Sequence, residues 1–270
     1  MNIKNENADI NIKVTNMFKK TLNLFGIYPK KLFKSLSEIP KYIKDIVKFK
    51  RKNNEITNGI NIERLYPCLN DRKKSAGTLG QYFKQDLHVA KKIYVSKPEK
   101  HVDVGSRIDG FILCLASFRK VEVFDIRELK IDEKNVNFNR VDVMSEKGIP
   151  KNYCDSLSCL HTVEHFGLGR YGDKILPDGH LIGLNNIKKT LKKGGKLYLS
   201  VPIGQTRVEF NAHRVFSVEY VMDHMTDGMS VEELSIIDDD GVLRTNVEPK
   251  NAKCEFGDSY GCGIFEMKKK

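Results

Sequence analysis

A regular alternation of short apolar runs with helical stretches begins near residue 101 and constrains the fold more than any other feature of this sequence. The apolar runs predict strands at residues 101–104, 120–125, 138–143, 156–160 and 196–201. The spacing of apolar residues between them predicts helices over residues 107–118 and 181–193. Strands separated by helices pair in parallel, because a parallel neighbour is reached only through a long crossover. The sequence therefore predicts an α/β fold with a mostly parallel sheet and helices on both faces.

The end of this pattern carries two further signals. Lysines close the helix predicted at 181–193 and are followed by Gly194 and Gly195, a composition typical of a helix C-terminus. Two more extended runs, residues 230–237 and 261–267, predict an antiparallel pair of strands.

The net charge of +11 is concentrated near the N-terminus. Residues 13–52 carry twelve Lys or Arg against two acidic residues, whereas residues 53–270 are nearly neutral. Apolar residues recur among these lysines at spacings of three and four, which predicts amphipathic helices broken at Tyr28-Pro29 and at Ile39-Pro40. Such helices either lie on an anionic membrane surface or pack on their own domain and expose their lysines. The nearly neutral body argues against nucleic acid as a partner.

We therefore divide the chain into a basic helical extension, residues 1–60, and a main domain, residues 61–270, with an entry segment at residues 66–95. No window approaches the roughly 18 apolar residues of a membrane span, and no signal-peptide pattern precedes the body. The six cysteines include no C-x-x-C pair, which indicates reduced thiols. These features predict a cytoplasmic protein, peripheral at the inner face of the membrane if the extension binds lipid.

Small and acidic residues stand where the predicted strands end. The first strand runs into Asp103, Gly105 and Ser106, and the next two end at Asp125 and Asp142. Glycine lets a ligand approach the backbone, and a carboxylate at the tip of the second strand is placed to accept hydrogen bonds from a ribose. The full G-x-G-x-x-G pattern is absent, which argues against a nicotinamide or flavin cofactor.

The string His161-x-x-Glu164-His165 follows the fourth strand. On a helical turn these positions share a face, so two imidazoles and a carboxylate can converge on a substrate hydroxyl or on one divalent ion. The same string is a signature of one class of zinc peptidase, which leaves a metallohydrolase as an alternative. A long helix is expected around that signature, and the glycine-rich residues 166–172 cannot sustain one.

These residues, taken with the run Leu191-Lys192-Lys193-Gly194-Gly195 that leads into the fifth strand, resemble the class I S-adenosylmethionine-dependent methyltransferases over about two-thirds of the chain. Residues 80–86, 101–110 and 164–173 are similar to a branch associated with surface-polysaccharide genes. The resemblance implies a Rossmann-like, mostly parallel sheet of seven strands.

The resemblance also implies a cofactor site. It places Gly105 beside the methionine part of S-adenosylmethionine, Asp125 at the ribose and Asp142 at the adenine. To these predicted contacts we add the flanking positions, Asp103, Ser106, Gly110 and His161.

For catalysis, methyl transfer to a hydroxyl needs a base whose pKa is about 7. It also needs a site that excludes water and holds the hydroxyl in line with the methyl group. His165 or His161 is the predicted base, and Glu164 orients it. Since some related O-methyltransferases bind magnesium through an acidic string here, His161, Glu164 and His165 are also the predicted ligands of a divalent metal.

Long donors after the fifth strand suit a polyol or a phosphorylated sugar. The predicted acceptor-binding residues are Tyr82, Arg170, Tyr171, Arg207, His213 and Arg214. The leading hypothesis is therefore an O-methyltransferase acting on a sugar or glycan acceptor, lipid-linked if the basic extension binds membrane. A methyltransferase fold that binds without transferring is a further alternative.

Overall fold

A computed structural model describes residues 22–71, 75, 77, 79–250 and 260–270. The chain divides into two compact units, Met1–Gly77 and Thr78–Lys270. The part of the predicted basic extension that precedes residue 22 lies outside the described residues.

The first unit contains one long helix, α1 (Pro29–Asn53), which begins after Tyr28 as the sequence predicts. Proline suits this first position because its missing N–H would have no partner there. The predicted break at Ile39-Pro40 is wrong, since α1 continues through Pro40. Proline at that position removes one backbone hydrogen bond, and the regular bonds on either side carry the helix past it. Among the described residues, no helix combines the length and the apolar character needed to cross a membrane.

The second unit is an α/β domain. In chain order its elements are α2 (Gln81–Ser96), β1 (His101–Val104), a π-helical turn (Ile108–Ile112), α3 (Leu113–Ala116), β2 (Val121–Asp125), β3 (Val136–Arg140), β4 (Cys154–Leu160), a 3-10 turn (Val163–His165), α4 (Gly179–Thr190), β5 (Leu191–Ile203), β6 (Arg207–Glu209), β7 (His213–Val215), α5 (Val218–His224), β8 (Met229–Ile237), β9 (Leu243–Arg244) and β10 (Gly261–Lys269).

One sheet organises this unit, in the order β3-β2-β1-β4-β5-β10-β8-β9. The first five strands in that order are parallel, and β10 runs antiparallel to both β5 and β8. The predicted Rossmann-like α/β fold is confirmed, with eight strands in place of seven. The predicted antiparallel pair of residues 230–237 and 261–267 is also confirmed as β8 and β10.

The sheet is covered on both faces because successive strand residues point to opposite sides. On β5, Leu197 and Leu199 join the core under α4 and α5, while Tyr198 joins the core under α2 and α3. The order of the strands reverses between β1 and β4, and in sheets of this kind a ligand crevice forms outside the strand ends at that point.

Two predicted helices differ from those in the structure. In place of a helix over residues 107–118, a π-helical turn leads into the single turn of α3, because Gly110 adopts φ −127° and ψ −107° and interrupts the helix. The helix predicted at 181–193 ends at Thr190, whose carbonyl accepts a hydrogen bond from Tyr153 N. Gly194 has φ +76°, but it turns the chain at the start of β5 and does not cap the helix.

The third predicted strand, residues 138–143, is displaced by about two residues. The structure places β3 at Val136–Arg140. Asp142 therefore lies in the turn beyond the strand, where its Oδ1 accepts a hydrogen bond from Met144 N at 2.9 Å.

Candidate functional site

A cavity of about 680 Å³ opens at the carboxyl ends of β1, β2 and β4, where the strand order reverses. Of the residues predicted to contact the cofactor, those that line it are Gly105, Ser106, Gly110, Asp125, Asp142 and His161. Of the residues predicted for catalysis and acceptor binding, the others that line it are Tyr82, Glu164, His165, Arg170, Tyr171 and His213. The structure therefore gathers most of the predicted residues around one space.

The floor of the cavity is the turn after β1. Gly105 has φ +77°, and a Cβ at this position would collide with Thr162 Cγ2, so only glycine fits. Asp103 holds the turn from below: its Oδ1 accepts from Ser106 N at 3.0 Å, and its Oδ2 accepts from the hydroxyls of Ser106 and Ser158. Asp103 is fully buried and does not line the cavity, which corrects its prediction as a cofactor contact. Burial raises the pKa of this carboxyl to about 7.

The acid at the tip of β2 already has a partner. Asp125 Oδ1 accepts from Arg127 Nε at 2.9 Å, and Oδ2 accepts from Arg127 Nη2 at 2.6 Å. The same guanidinium lies 4.7 Å from the centre of the Tyr171 ring. A carboxylate offers about four acceptor positions. The Arg127 guanidinium takes two of them in a fork, and the backbone N–H of Arg127 takes a third, on Oδ1 at 2.8 Å. Arg127 thus links Asp125, the predicted ribose contact, to Tyr171, a predicted acceptor-binding residue.

His161 and Glu164 form a buried pair beside this cavity. His161 has φ +48° and lies outside the 3-10 turn, so the predicted helical face shared by the whole string does not form. Its Nδ1 is 3.0 Å from Glu164 Oε1. Burial opposes protonation of the ring, but contacts with Cys262 and Glu164 outweigh it and raise the pKa of His161 well above its usual range. These contacts favour the protonated form of the His161 ring over the neutral form.

The second carboxylate oxygen of Glu164, Oε2, has no partner among the described residues. Glu164 is 1% exposed, and this oxygen is buried. Buried polar atoms almost always have a partner, so an unpaired carboxylate oxygen in a cavity wall marks a position for a donor from a ligand or from water.

His165 has a different state from His161. Its Nδ1 lies 2.6 Å from the carbonyl oxygen of Ala212, which only accepts, so this nitrogen carries the hydrogen. Its Nε2 therefore carries a lone pair, and lies 3.9 Å from Glu164 Oε1. Burial lowers the pKa of His165 below the ordinary value of 6.5. At neutral pH this ring is an uncharged proton acceptor.

The predicted metal site does not fit these contacts. No group of three His, Cys, Asp or Glu side chains within the described part of the chain is arranged to hold a metal ion. His161 Nδ1 and Glu164 Oε1 bind each other, and His165 Nδ1 donates to a carbonyl. The string also lacks the long helix that a zinc peptidase signature needs, since only the turn Val163–His165 is helical.

Two predicted acceptor residues lie away from the cavity. Arg214 is buried, and its guanidinium donates to the carbonyls of Phe166 at 2.6 Å and Pro177 at 3.0 Å, so it fixes the loop between β4 and α4. Arg207 lies on the exposed strand β6 and pairs with Glu209. Both predictions are corrected by these contacts: the first arginine is structural, and the second belongs to a surface hairpin.

Sequence reasoning missed several lining residues, among them Arg127, Asp173 and Tyr260. Asp173 accepts hydrogen bonds from the backbone N–H groups of Gly167 and Tyr171, at 2.8 and 3.1 Å, and so shapes the loop. The glycine-rich run ending in aspartate was a signal for this role. Tyr260 reaches the cavity from the start of β10, far along the chain, and no local pattern could have placed it there.

Comparisons with known proteins agree with this architecture. Residues 117–233 match a family model described as Caenorhabditis protein of unknown function, DUF268. No curated protein sequence matches the chain.

Solved structures match the fold at low sequence identity. The [4+2]-cyclase SpnF is 13% identical over 69% of this chain and 80% of its own, with a TM-score of 0.50. A Burkholderia thailandensis 1,6-didemethyltoxoflavin-N1-methyltransferase with bound S-adenosylhomocysteine is 13% identical over 69% and 79%, with a TM-score of 0.46. The N-methyltransferase NodS of Bradyrhizobium japonicum, in complex with the same molecule, is 12% identical over 69% and 87%, with a TM-score of 0.45. At 13% identity, the match to SpnF shows a shared fold.

Proposed function

We propose that this chain is an S-adenosylmethionine-dependent O-methyltransferase whose acceptor is a sugar hydroxyl of a surface glycan or its precursor. The observation that carries the proposal is the neutral His165, which offers a lone pair to the cavity beside the unpaired Glu164 Oε2. The same cavity contains a glycine turn and two strand-tip acids, Asp125 and Asp142.

The residues present fit the cofactor. Gly105 lines the cavity at the turn after β1, and Asp125 and Asp142 offer acceptors for hydroxyl and amino hydrogens after the next two strands. When bound, S-adenosylmethionine supplies an electrophilic methyl group on a sulfonium. Asp125 and Asp142 would hold the nucleoside part, and Gly105 and Ser106 would lie against the remainder.

His165 is the proposed general base. Ala212 O fixes its tautomer, so Nε2 is the atom that receives the acceptor's hydroxyl proton. His161 is the poorer candidate, because its raised pKa favours the protonated ring, which has no lone pair to accept a proton. Its ring instead holds Glu164 in place through the 3.0 Å contact.

The proposed acceptor follows from two neighbouring proton acceptors. His165 Nε2 carries a lone pair, and the nearby Glu164 has one oxygen, Oε2, without a partner among the described residues, so a matching ligand offers two adjacent O–H groups. A vicinal diol of a sugar has this pattern. The rings of Tyr82, Tyr171 and Tyr260 line the same cavity, and aromatic rings suit the apolar face of a sugar.

One observation favours a second candidate, a methyltransferase fold that binds without transferring. Arg127 occupies the carboxylate of Asp125 in a fork, so a ribose has to displace it. In such a protein the fork stays closed, and the cavity binds a partner molecule without transferring a group.

Calorimetry with S-adenosylhomocysteine tests the proposal. The wild-type chain should bind it, and Asp125→Ala should weaken binding at least about tenfold because the ribose acceptor is lost. Arg207→Ala is the matched control, since that side chain lies outside the cavity, and it should bind normally.

Mass spectrometry of sugars and lipid-linked glycans incubated with S-adenosylmethionine should then show a product heavier by one CH₂. Absence of cofactor binding would refute the methyltransferase proposal. Binding without a product across the panel would favour the second candidate.

A further inference from the structure

Helix α1 presents an apolar stripe that nothing in the described part of the chain covers. The stripe consists of Leu32, Leu36, Ile39, Ile43 and Val47, at spacings of three and four that place them on one face. These side chains are between 37% and 63% exposed, and no residue of α1 is buried. The α1 stripe is therefore a continuous apolar surface along most of a helix about 37 Å long.

The rest of the first unit contacts another side of α1. Asn70 donates a side-chain hydrogen bond to Ser35, and Asn53 bonds Asn61 at 3.4 Å. The half-buried positions Ser35, Tyr42 and Ile46 lie to one side of the stripe. The described residues of this unit thus pack beside the α1 stripe and leave it open.

The charge of α1 identifies the kind of surface it fits. The helix carries nine Lys or Arg and two acidic residues, with Lys34, Lys41 and Lys48 spaced by seven on the side opposite the stripe. A second copy of this chain would bring another strongly positive helix against the first, and like charges oppose that contact. An anionic bilayer supplies both an apolar layer for the stripe and negative charge for the lysines.

We propose that α1 is an interfacial helix that lies in the plane of an anionic membrane, with the α1 stripe at the boundary between headgroups and acyl chains. This inference is independent of methyl transfer and stands or falls on the first unit alone. If both proposals hold, the helix would keep the cavity near lipid-linked acceptors.

Sedimentation of the full chain with vesicles tests it. The probe is a phosphatidylcholine vesicle containing about 30% phosphatidylserine, compared with pure phosphatidylcholine at about 0.1 M salt. The wild type should pellet with the anionic vesicles, and the double variant Leu36→Gln, Ile43→Gln should lose at least about tenfold in partitioning because its stripe is interrupted. Ser37→Gln is the matched control: it places the same residue on the lysine side and should bind as the wild type does.

The lysines of α1 allow a second, independent test of the proposal. The triple variant Lys34→Gln, Lys41→Gln, Lys48→Gln should bind weakly at low salt, and raising the salt should reduce its remaining binding less than that of the wild type. Helical circular dichroism of every variant should match the wild type, because the substituted side chains are exposed and bury no core.

Three results would overturn the proposal. One is equal binding of the wild type and the stripe variant, and another is equal binding to neutral and anionic vesicles. The third is a dimer of the wild type that the stripe variant abolishes while neither binds vesicles, which would assign the stripe to a second copy.

Discussion

Two histidines four residues apart have pKa values shifted in opposite directions, although both rings are largely buried. His161 Nδ1 meets a carboxylate oxygen, whereas His165 Nδ1 meets a carbonyl. At His161 the contacts with Cys262 and Glu164 outweigh burial and raise the pKa, whereas at His165 burial outweighs the contacts with Glu164 and Ala212 and lowers it. The sequence predicted both rings as candidates for the base, and only the contacts distinguish between them.

His165→Ala should therefore lower the turnover number by a factor on the order of 10², since the general base is lost. Binding of S-adenosylhomocysteine should be unchanged, which calorimetry checks. The wild-type rate should rise with pH through an inflection below 6.5 and then level, because the pKa of His165 is lowered and only its neutral form accepts a proton.

An inflection above 6.5 would assign the base to another group. Full turnover in the His165→Ala variant would contradict the assignment directly.

Arg127 gives a second prediction at the residue scale. Arg127→Ala removes the guanidinium from Asp125 and keeps the hydrogen bond from the backbone N–H of residue 127. It should tighten S-adenosylhomocysteine binding several-fold, about 1 kcal/mol, because a ribose no longer has to displace a forked ion pair. Arg170→Ala is a suitable control, since it also removes a guanidinium near Tyr171 but leaves Asp125 untouched. Weaker binding in the Arg127→Ala variant would show that Arg127 contacts the cofactor itself.

At the scale of single elements, β1 carries a buried polar chain. His101 Nε2 lies 3.0 Å from the Ser158 hydroxyl, which donates to Asp103. Burial lowers the pKa of His101 to about 3 and raises that of Asp103 to about 7. The stability that the neutral His101 contributes is fully present above pH 6.5 and is lost as the pH falls. The stability that the protonated Asp103 contributes is fully present below pH 3.8 and is lost as the pH rises towards 7.

These two dependences oppose each other between pH 3.8 and 6.5. Asp103→Asn removes the pH dependence that comes from Asp103. The free energy of unfolding of this variant should therefore fall more steeply with acid than that of the wild type. The added slope is up to about 1.4 kcal/mol per pH unit. Urea unfolding at several pH values across this window measures both slopes, and parallel curves would show that Asp103 does not titrate as described.

The elements also show how far the sequence predicts the fold. Strands were predicted well because the apolar runs of β1, β2, β4 and β5 are buried and continuous. The helix after β1 was not predicted correctly, since Gly110 has a non-helical conformation that the local sequence pattern does not indicate. Cavity residues that follow strand tips were found from spacing alone, whereas Tyr260 and the fork of Arg127 depend on tertiary contacts.

At the scale of the whole molecule, charge and chemistry are divided between the two units. Most of the net charge of +11 lies on residues 13–52, and the cavity lies in the second unit. A polar or salt-sensitive binding partner of the first unit therefore gives little information about the acceptor that binds in the cavity of the second unit. Truncation or charge changes in α1 and substitutions in the cavity should be separable experimentally, because they act on different units.

The position of β10 has a consequence for how the protein is made. This strand is the last of the sheet to be synthesised, yet it lies between β5 and β8 and pairs with both. Until residue 269 has left the ribosome, β5 has one open edge and β8 has no neighbour on that side. An open edge on a long apolar strand readily pairs with other chains. A chain that has not yet released β10 therefore exposes these strand edges, and deletion of β10 should lower the yield of folded protein.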